Sequence, residues 1–270
     1  TPQNTSKYLD FALEMAAAAE TPIMRHFRHC EADCKPDGSE VTIADREAET
    51  VIRDMIAARY PDHGVIGEEF GDAGSGDKAF QWVIDPIDGT TSFAWGIHAF
   101  GTLIALMENG QPIVGVINMP ALKEAVYGAK GEGCWFREGS SEPQRVCVAP
   151  CDRLEDALIS TSTIAATDLD PKTRQPGYRL SEVIRRARKL RFCGDCIQHA
   201  LVCRGRIHAA IDPVMQPWDI AALIPCIEEA GGVATSLTGE REHVVFRGSL
   251  LTSANADLHA EIVKRLRPAR

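Results

Sequence analysis

The stretch Trp82-Val83-Ile84-Asp85-Pro86-Ile87-Asp88-Gly89-Thr90-Thr91-Ser92-Phe93 limits what this chain can become more than any other part of it. Three apolar residues in a row predict a buried strand, after which the chain must turn sharply. Pro86 fixes φ on one side of that turn and Gly89 supplies conformational freedom on the other. Two carboxylates, Asp85 and Asp88, leave the strand end three residues apart, with the hydroxyls of Thr90 and Thr91 close behind. Carboxylates this close repel each other unless something positive sits between them. A divalent cation meets that need, and Mg²⁺ favours all-oxygen ligation by a few carboxylates, water and phosphate. The competing reading is an ordinary turn, in which Asp-Pro and Asp-Gly pairs cap their own backbone. The apolar strand before the turn and the hydroxyls after it favour the metal site.

A chain of 270 residues is long enough for one large domain or two compact halves sharing a core. Its 44% hydrophobic and 25% charged residues place it among ordinary globular proteins. The net charge of −9 argues against nucleic acid, whose binding rests on neutralising phosphates with Lys and Arg. It does not argue against a small phosphate ligand, because a bound cation reverses the local sign. No apolar run approaches a membrane span, and no basic and apolar leader opens the chain. The expectation is a cytoplasmic protein, or an organellar one whose leader has been trimmed ahead of Thr1. Nine cysteines are scattered at 30, 34, 134, 147, 151, 193, 196, 203 and 226. Cys193 and Cys196 have redox or zinc spacing, but a structural zinc wants a second matching pair, for which Cys147 and Cys151 are a loose candidate. Free thiols in a reducing compartment are the preferred reading.

In chain order, residues 6–29 predict a helix with Leu9, Leu13, Ala16, Ile23 and Phe27 near one face, kinked or restarted at Thr21-Pro22. Residues 34–39 read as a loop. Thr42 and Asp45 form an N-terminal capping pattern for a helix that ends at Tyr60-Pro61. Val65-Ile66 is a short strand delivering Glu68 and Glu69; adjacent glutamates point opposite ways, so one of them reaches the site and the other is solvated or pairs elsewhere. Gly71 to Lys78 reads as a surface loop. Strands at 81–85, 100–107, 113–118, 125–129 and 134–136, split by Gly-centred turns, imply antiparallel pairing. Residues 139–150 turn polar, which divides the chain into an α+β half, 1–145, and an α/β half, 146–270. The second half alternates: strand 157–161, helix 179–189, strand 190–193, helix 196–204, strand 206–211, helix 219–230, strands near 233–237 and 249–253, and a final helix 255–266.

Asp85-Pro86-Ile87-Asp88-Gly89-Thr90-Thr91 resembles the central signature of the inositol monophosphatase family of metal-dependent phosphomonoesterases. Gly67-Glu68-Glu69 upstream, and Trp218-Asp219-Ile220-Ala221-Ala222 with Gly231-Gly232 downstream, resemble further motifs of that family in the same order. Residues 35–45 resemble its K-x-D-x-S-x-V-T-x-A-D motif. The resemblance implies a layered α-β-α-β-α sandwich, a site between the halves and a homodimer. It implies that Glu68, Asp85, the Ile87 carbonyl, Asp88 and Asp219 hold two or three Mg²⁺, with Mn²⁺ as a substitute. Glu68 is the glutamate of its pair that the family pattern selects. The resemblance further implies that Thr90, backed by Asp45, orients a nucleophilic water, and that the phosphate rests on the amides of Gly89 and Thr90. Taken alone, Asp45 reads as a cap, and Asp219 reads as a helix N-cap favoured by the dipole.

The segment 191–200 carries Gly194-Asp195-Cys196, which resembles the branch of histidinol-phosphate phosphatases. Asp195 would then meet the ammonium or imidazole of that substrate; its other reading is a cap on the helix from Cys196. Asp212 stands where the family holds a longer acid against the leaving group. His199 and Arg191 are further candidates for the pocket. The expected activity is therefore Mg²⁺-dependent hydrolysis of histidinol phosphate. The alternatives are inositol-1-phosphate or another sugar phosphate, and, from a different class, a non-catalytic metal- or phosphate-binding module. A nucleotide substrate is the less favoured reading.

Overall fold

A computed structural model describes residues 2–35, 40–74, 78–175 and 177–267. Residues 36–39 of the 35–45 motif and residues 75–77 of the Gly/Asp-rich loop lie outside the described residues. The chain opens with α1 (Pro2–His26), the antiparallel pair β1 (Asp33–Cys34) and β2 (Glu40–Val41), and α2 (Ile43–Arg59). α2 begins at the expected capping box: Ala44 N–H donates to Thr42 Oγ1 (3.1 Å), and Thr42 N–H donates to Asp45 Oδ2 (2.8 Å). The break expected in α1 at Pro22 is absent, and the helix runs through it. Pro22 removes one backbone donor, but Phe11, Met15, Ala19 and Ile23 are fully buried on either side of it. Packing along the whole helix outweighs the loss of one hydrogen bond.

Next come β3 (Gly64–Gly67), β4 (Gly71–Ala73), β5 (Phe80–Asp88), α3 (Thr90–Ala94), β6 (Gly101–Glu108), β7 (Gln111–Met119), β8 (Glu124–Ala129), β9 (Gly133–Glu138) and β10 (Gln144–Val146). Among the described residues these strands make one eight-stranded sheet, ordered β10-β9-β8-β7-β6-β5-β3-β4. Neighbours pair antiparallel, as expected from the turns, except β3 and β5, which are parallel. β4 falls in a stretch read as loop and β10 in the stretch read as a polar boundary. Both are three-residue edge strands, too short to show a period in sequence.

The remainder is β11 (Leu158–Thr161), α4 (Leu180–Arg186), β12 (Lys189–Phe192), α5 (Asp195–Cys203), β13 (Ala209–Asp212), α6 (Pro217–Ala221), α7 (Leu223–Glu229), β14 (Val233–Thr235), β15 (Leu250–Ser253) and α8 (Ala256–Leu266). The second sheet is ordered β12-β11-β13-β15-β14, with β11 parallel to both its neighbours. The single helix expected over 219–230 is two helices meeting at Ala222. Pro225 has no N–H to return to the Ala221 carbonyl, so the helical ladder stops there. At this break the Ala222 carbonyl lies 2.0 Å from where a Cβ on Gly115 would stand, so only a glycine lets β7 come so close.

Side chains alternate across the strands and sort into layers. Trp82, Ile84, Ile104 and Leu106 face α1 and α2. Val83, Leu103, Ala105 and Met107 face the other way, onto α5, α6 and α7. Those helices also cover Ala210, Ala234 and Leu250 of the second sheet, whose far side packs Ala209, Ile211 and Leu251 against α4 and α8. The order is helix, sheet, helix, sheet, helix, the α-β-α-β-α sandwich that the resemblance implied. All nine cysteines are free thiols, and Cys134 of β9 is buried in one cluster with Cys203 of α5 and Cys226 of α7. No described helix is long and apolar enough to cross a membrane.

Candidate active site

The site is built on an irregularity in β5. Asp85 pairs with Leu103 and Asp88 with Gly101, so three steps along β5 match two along β6. Residues three apart in a regular strand face opposite ways. The extra residue of this bulge turns both carboxylates to the same side. Pro86 lies inside it, where a missing N–H costs the ladder nothing, and Thr102 Oγ1 donates to its carbonyl at 2.9 Å.

Asp219 reaches the same place from the second half of the chain. It lies in the first turn of α6, and its Oδ2 accepts the Gln216 N–H at 2.7 Å. One ligand atom from each of Asp85, Asp88 and Asp219 lies within 4.8 Å of the others. Asp85 Oδ1 is buried without a hydrogen-bond donor. Burial raises both Asp85 and Asp88 well above the carboxylate range; Glu68 is the leading charge acting on Asp85, and Asp195 on Asp88. Burial likewise pushes Asp219 up to about 7. Three packed acids, one with an orphaned oxygen and all resisting ionisation, fit a hard divalent cation that would supply the missing positive charge.

Glu68 follows β3 at the edge of this group. Lys35 Nζ donates to Glu68 Oε1 (3.0 Å) and to Glu69 Oε1 (2.6 Å). Glu69 therefore pairs elsewhere, on the lysine that also holds Glu68; its side chain is 3% exposed rather than solvated. The turn that carries both is pinned by Glu49, which accepts the N–H of Glu69 (2.8 Å) and of Phe70 (3.3 Å) and an Arg53 Nε–H (2.7 Å). Glu49 was missed in the sequence. Its signal is an acid on the buried face of α2, one turn beyond Asp45.

Gly89 has φ 89°, the left-handed region, and caps α3. Thr90 Oγ1 donates to the Ile87 carbonyl at 3.0 Å and lies 3.5 Å from Asp45 Oδ1. Asp45 thus serves as a cap through Oδ2 while Oδ1 faces Thr90, and burial lifts its carboxyl to about 6. Asp195 has φ 50° and accepts no hydrogen bond among the described residues, so it does not act as a side-chain cap. Its Oδ2 sits 2.8 Å from where a Gly89 Cβ would stand, and burial with the nearby Asp212 raises it to about 6. The first amide after it, Cys196 N–H, donates instead to Asp88 Oδ2.

A cleft of about 390 Å³ brings together Glu68, Asp85, Ile87, Asp88, Gly89, Thr90, Thr91, Asp195 and Asp219, and adds Cys34 and Glu40, to which the sequence reading gave no role in the site. Asp45 stands behind Thr90. Asp212 does not line the cleft: it is 3% exposed and accepts hydrogen bonds from Ser162 Oγ and Gln198 Nε2, with His199 Nε2 at 3.0 Å. His199 is wholly buried between Asp212 and Thr252, and Arg191 is exposed on the edge strand β12.

The family model for the inositol monophosphatase family matches residues 4–269. The chain belongs to this family. Its members are metal-dependent phosphomonoester hydrolases, and this chain is a phosphatase among them. It is 40% identical over 253 residues to a histidinol-phosphatase of Chlorobaculum parvum, covering 92% of each chain. It is 36% identical over 237 residues to a histidinol-phosphatase of Mycobacterium tuberculosis, covering 87% of each. Among solved structures, an inositol monophosphatase from Zymomonas mobilis superposes with a TM-score of 0.81 at 28% identity, covering 96% of this chain and 97% of that one.

Proposed function

We propose that this inositol monophosphatase family member is a Mg²⁺-dependent histidinol-phosphate phosphatase. The observation that carries the substrate is Asp195, an acid with no donor among the described residues, beside the Gly89 turn. A cation on the leaving group supplies what this carboxylate lacks. The two histidinol-phosphatase relatives support the same reading.

Glu68, Asp85, the Ile87 carbonyl, Asp88 and Asp219 would hold Mg²⁺, an all-oxygen set suited to that ion. When bound, the metal acidifies water and offsets charge on the phosphoryl oxygens and the leaving alkoxide. The chain does the rest. Gly89 and Thr90 present their amides to the phosphate at the turn into α3. Thr90 Oγ1 accepts a proton from the attacking water and passes its own to Asp45 Oδ1, 3.5 Å away. Asp45, lifted to about 6 by burial, is a base suited to neutral pH. No side chain becomes phosphorylated.

Inositol-1-phosphate is the second reading, favoured by the similarity of the fold to the Zymomonas mobilis inositol monophosphatase. Phosphate release from histidinol phosphate, inositol-1-phosphate, fructose-1,6-bisphosphate and phosphoadenosine phosphate, each with Mg²⁺ and with excess EDTA, separates the readings. The proposal expects histidinol phosphate to have the highest kcat/KM and EDTA to stop turnover. Preference for inositol-1-phosphate would replace it with the second reading.

A further inference from the structure

Glu40 has no part in the metal set or in water activation, yet it lines the same cleft. It sits on β2 opposite Cys34, and β2 packs against α3, the helix opened by the Gly89 turn. Its Oε2 is buried and, among the described residues, accepts no hydrogen bond. A buried carboxylate oxygen without a donor is costly, and such an atom finds its partner when a ligand arrives. Glu40 is not one of the three acids whose ligand atoms gather within 4.8 Å of one another, so nothing in that grouping makes its metal the partner of Glu40.

The charges in the cleft point to what is. Asp85, Asp88 and Asp219 face the metal position, and Lys35 neutralises Glu68. Glu40 and Asp195 are left, one from each half of the chain and both lining the cleft, Asp195 beside the Gly89 turn where the phosphate would lie. A phosphate ester of a neutral polyol brings nothing to offset these two acids and adds its own negative charge. An ester of an amino alcohol brings a cation with several N–H donors.

We propose that Glu40 is a specificity-determining residue that, with Asp195, clamps the cationic end of the leaving group, so that the enzyme selects phosphate monoesters of amino alcohols over those of neutral polyols. This deepens the phosphatase reading above and rests on it.

Glu40→Gln keeps the side chain's shape and removes its charge. With the Mg²⁺-loaded enzyme, kcat/KM on histidinol phosphate is expected to fall about tenfold, mainly through KM, the scale of one lost charge-assisted hydrogen bond. On inositol-1-phosphate it is expected to hold or rise, and Glu40→Asp should recover part of the loss. Equal losses on both substrates, a raised Mg²⁺ requirement, or no change on either would overturn the proposal. The wild-type enzyme gives a test that depends on no variant: histidinol should inhibit p-nitrophenyl phosphate hydrolysis competitively at a concentration at least tenfold below that of inositol. Equal potency would overturn it too. Wild-type enzyme that releases phosphate from no monoester would instead remove the phosphatase reading beneath it.

Discussion

Replacing Thr90 by Val removes a hydroxyl with little change of shape. It leaves Glu68, Asp85, Asp88 and Asp219 in place. We expect kcat to fall about 10²-fold, the scale of a lost proton-transfer partner, while the Mg²⁺ concentration for half-maximal rate stays put. Parallel loss of both would make Thr90 a support for the metal group. Asp195→Asn is a different experiment, because Asn tolerates the left-handed φ of 50° as Asp does. The backbone and melting temperature should therefore hold. Loss of a charge-assisted hydrogen bond worth about 1.5–3 kcal/mol lowers kcat/KM on histidinol phosphate tenfold to a hundredfold, and inositol-1-phosphate serves as the control that should not follow. At this scale the carboxylates of the metal group were legible because their types and spacings carry the chemistry. The burial of Asp212 was not legible: its neighbours Ser162 and Gln198 lie 50 and 14 residues away in sequence, and local pattern says nothing of them.

The turn after β3 shows how an element holds a functional group it does not contain. Glu49 on α2 takes two N–H groups of residues 69 and 70, so Glu68 is aimed by a helix rather than by its own strand. Glu49→Gln puts an N–H where a lone pair is needed. The loss of about 1–3 kcal/mol for a buried, unsatisfied partner corresponds to a melting temperature lower by about 2–6 °C in a chain of this size. The Mg²⁺ requirement should rise severalfold with kcat at saturating metal little changed. A Mg²⁺ titration that superposes on wild type would show that the turn stands without Glu49. Elements with a long hydrophobic period, such as α2 and β6, were legible with their ends. β4 and β10 were not, because three residues carry no period. Pro225 did carry a signal for the break between α6 and α7, and the periodicity of apolar residues on either side obscured it.

At the scale of the molecule, Asp85 and Asp88 of β5 and Asp219 of α6 join the two halves of the chain through one acidic group. Without metal, burial raises their pKa values, along with those of Asp45 and Asp195. Between about 4, where these acids titrate when unfolded, and about 7, the value for Asp219, the folded metal-free protein holds more protons than the unfolded chain. Stability is then complete below the unfolded range and declines as pH rises through the folded values. The metal-free protein should melt at a higher temperature at pH 5 than at pH 8, and Mg²⁺ should raise the melting temperature more at pH 8 than at pH 5. A metal-free melting temperature that climbs from pH 5 to pH 8 would mean that other groups govern the curve. The layer order of this molecule could be named from motif resemblance, whereas the shared middle layer of α5, α6 and α7 required the contacts themselves.

Against that middle layer Cys134 of β9 meets Cys203 and Cys226 in a fully buried patch, with the Cys203 and Cys226 thiols pushed well above their usual range by burial. A thiol becomes a nucleophile only as thiolate, and burial holds Cys203 and Cys226 as thiols until solvent reaches them. Cys34 and Cys147 are exposed and mark the starting point of any alkylation experiment. The buried three mark time: each can be alkylated only when the two sheets part from the helices between them. The chain therefore carries its own clock for breathing motions of its centre, readable as alkylation by mass spectrometry with no residue introduced.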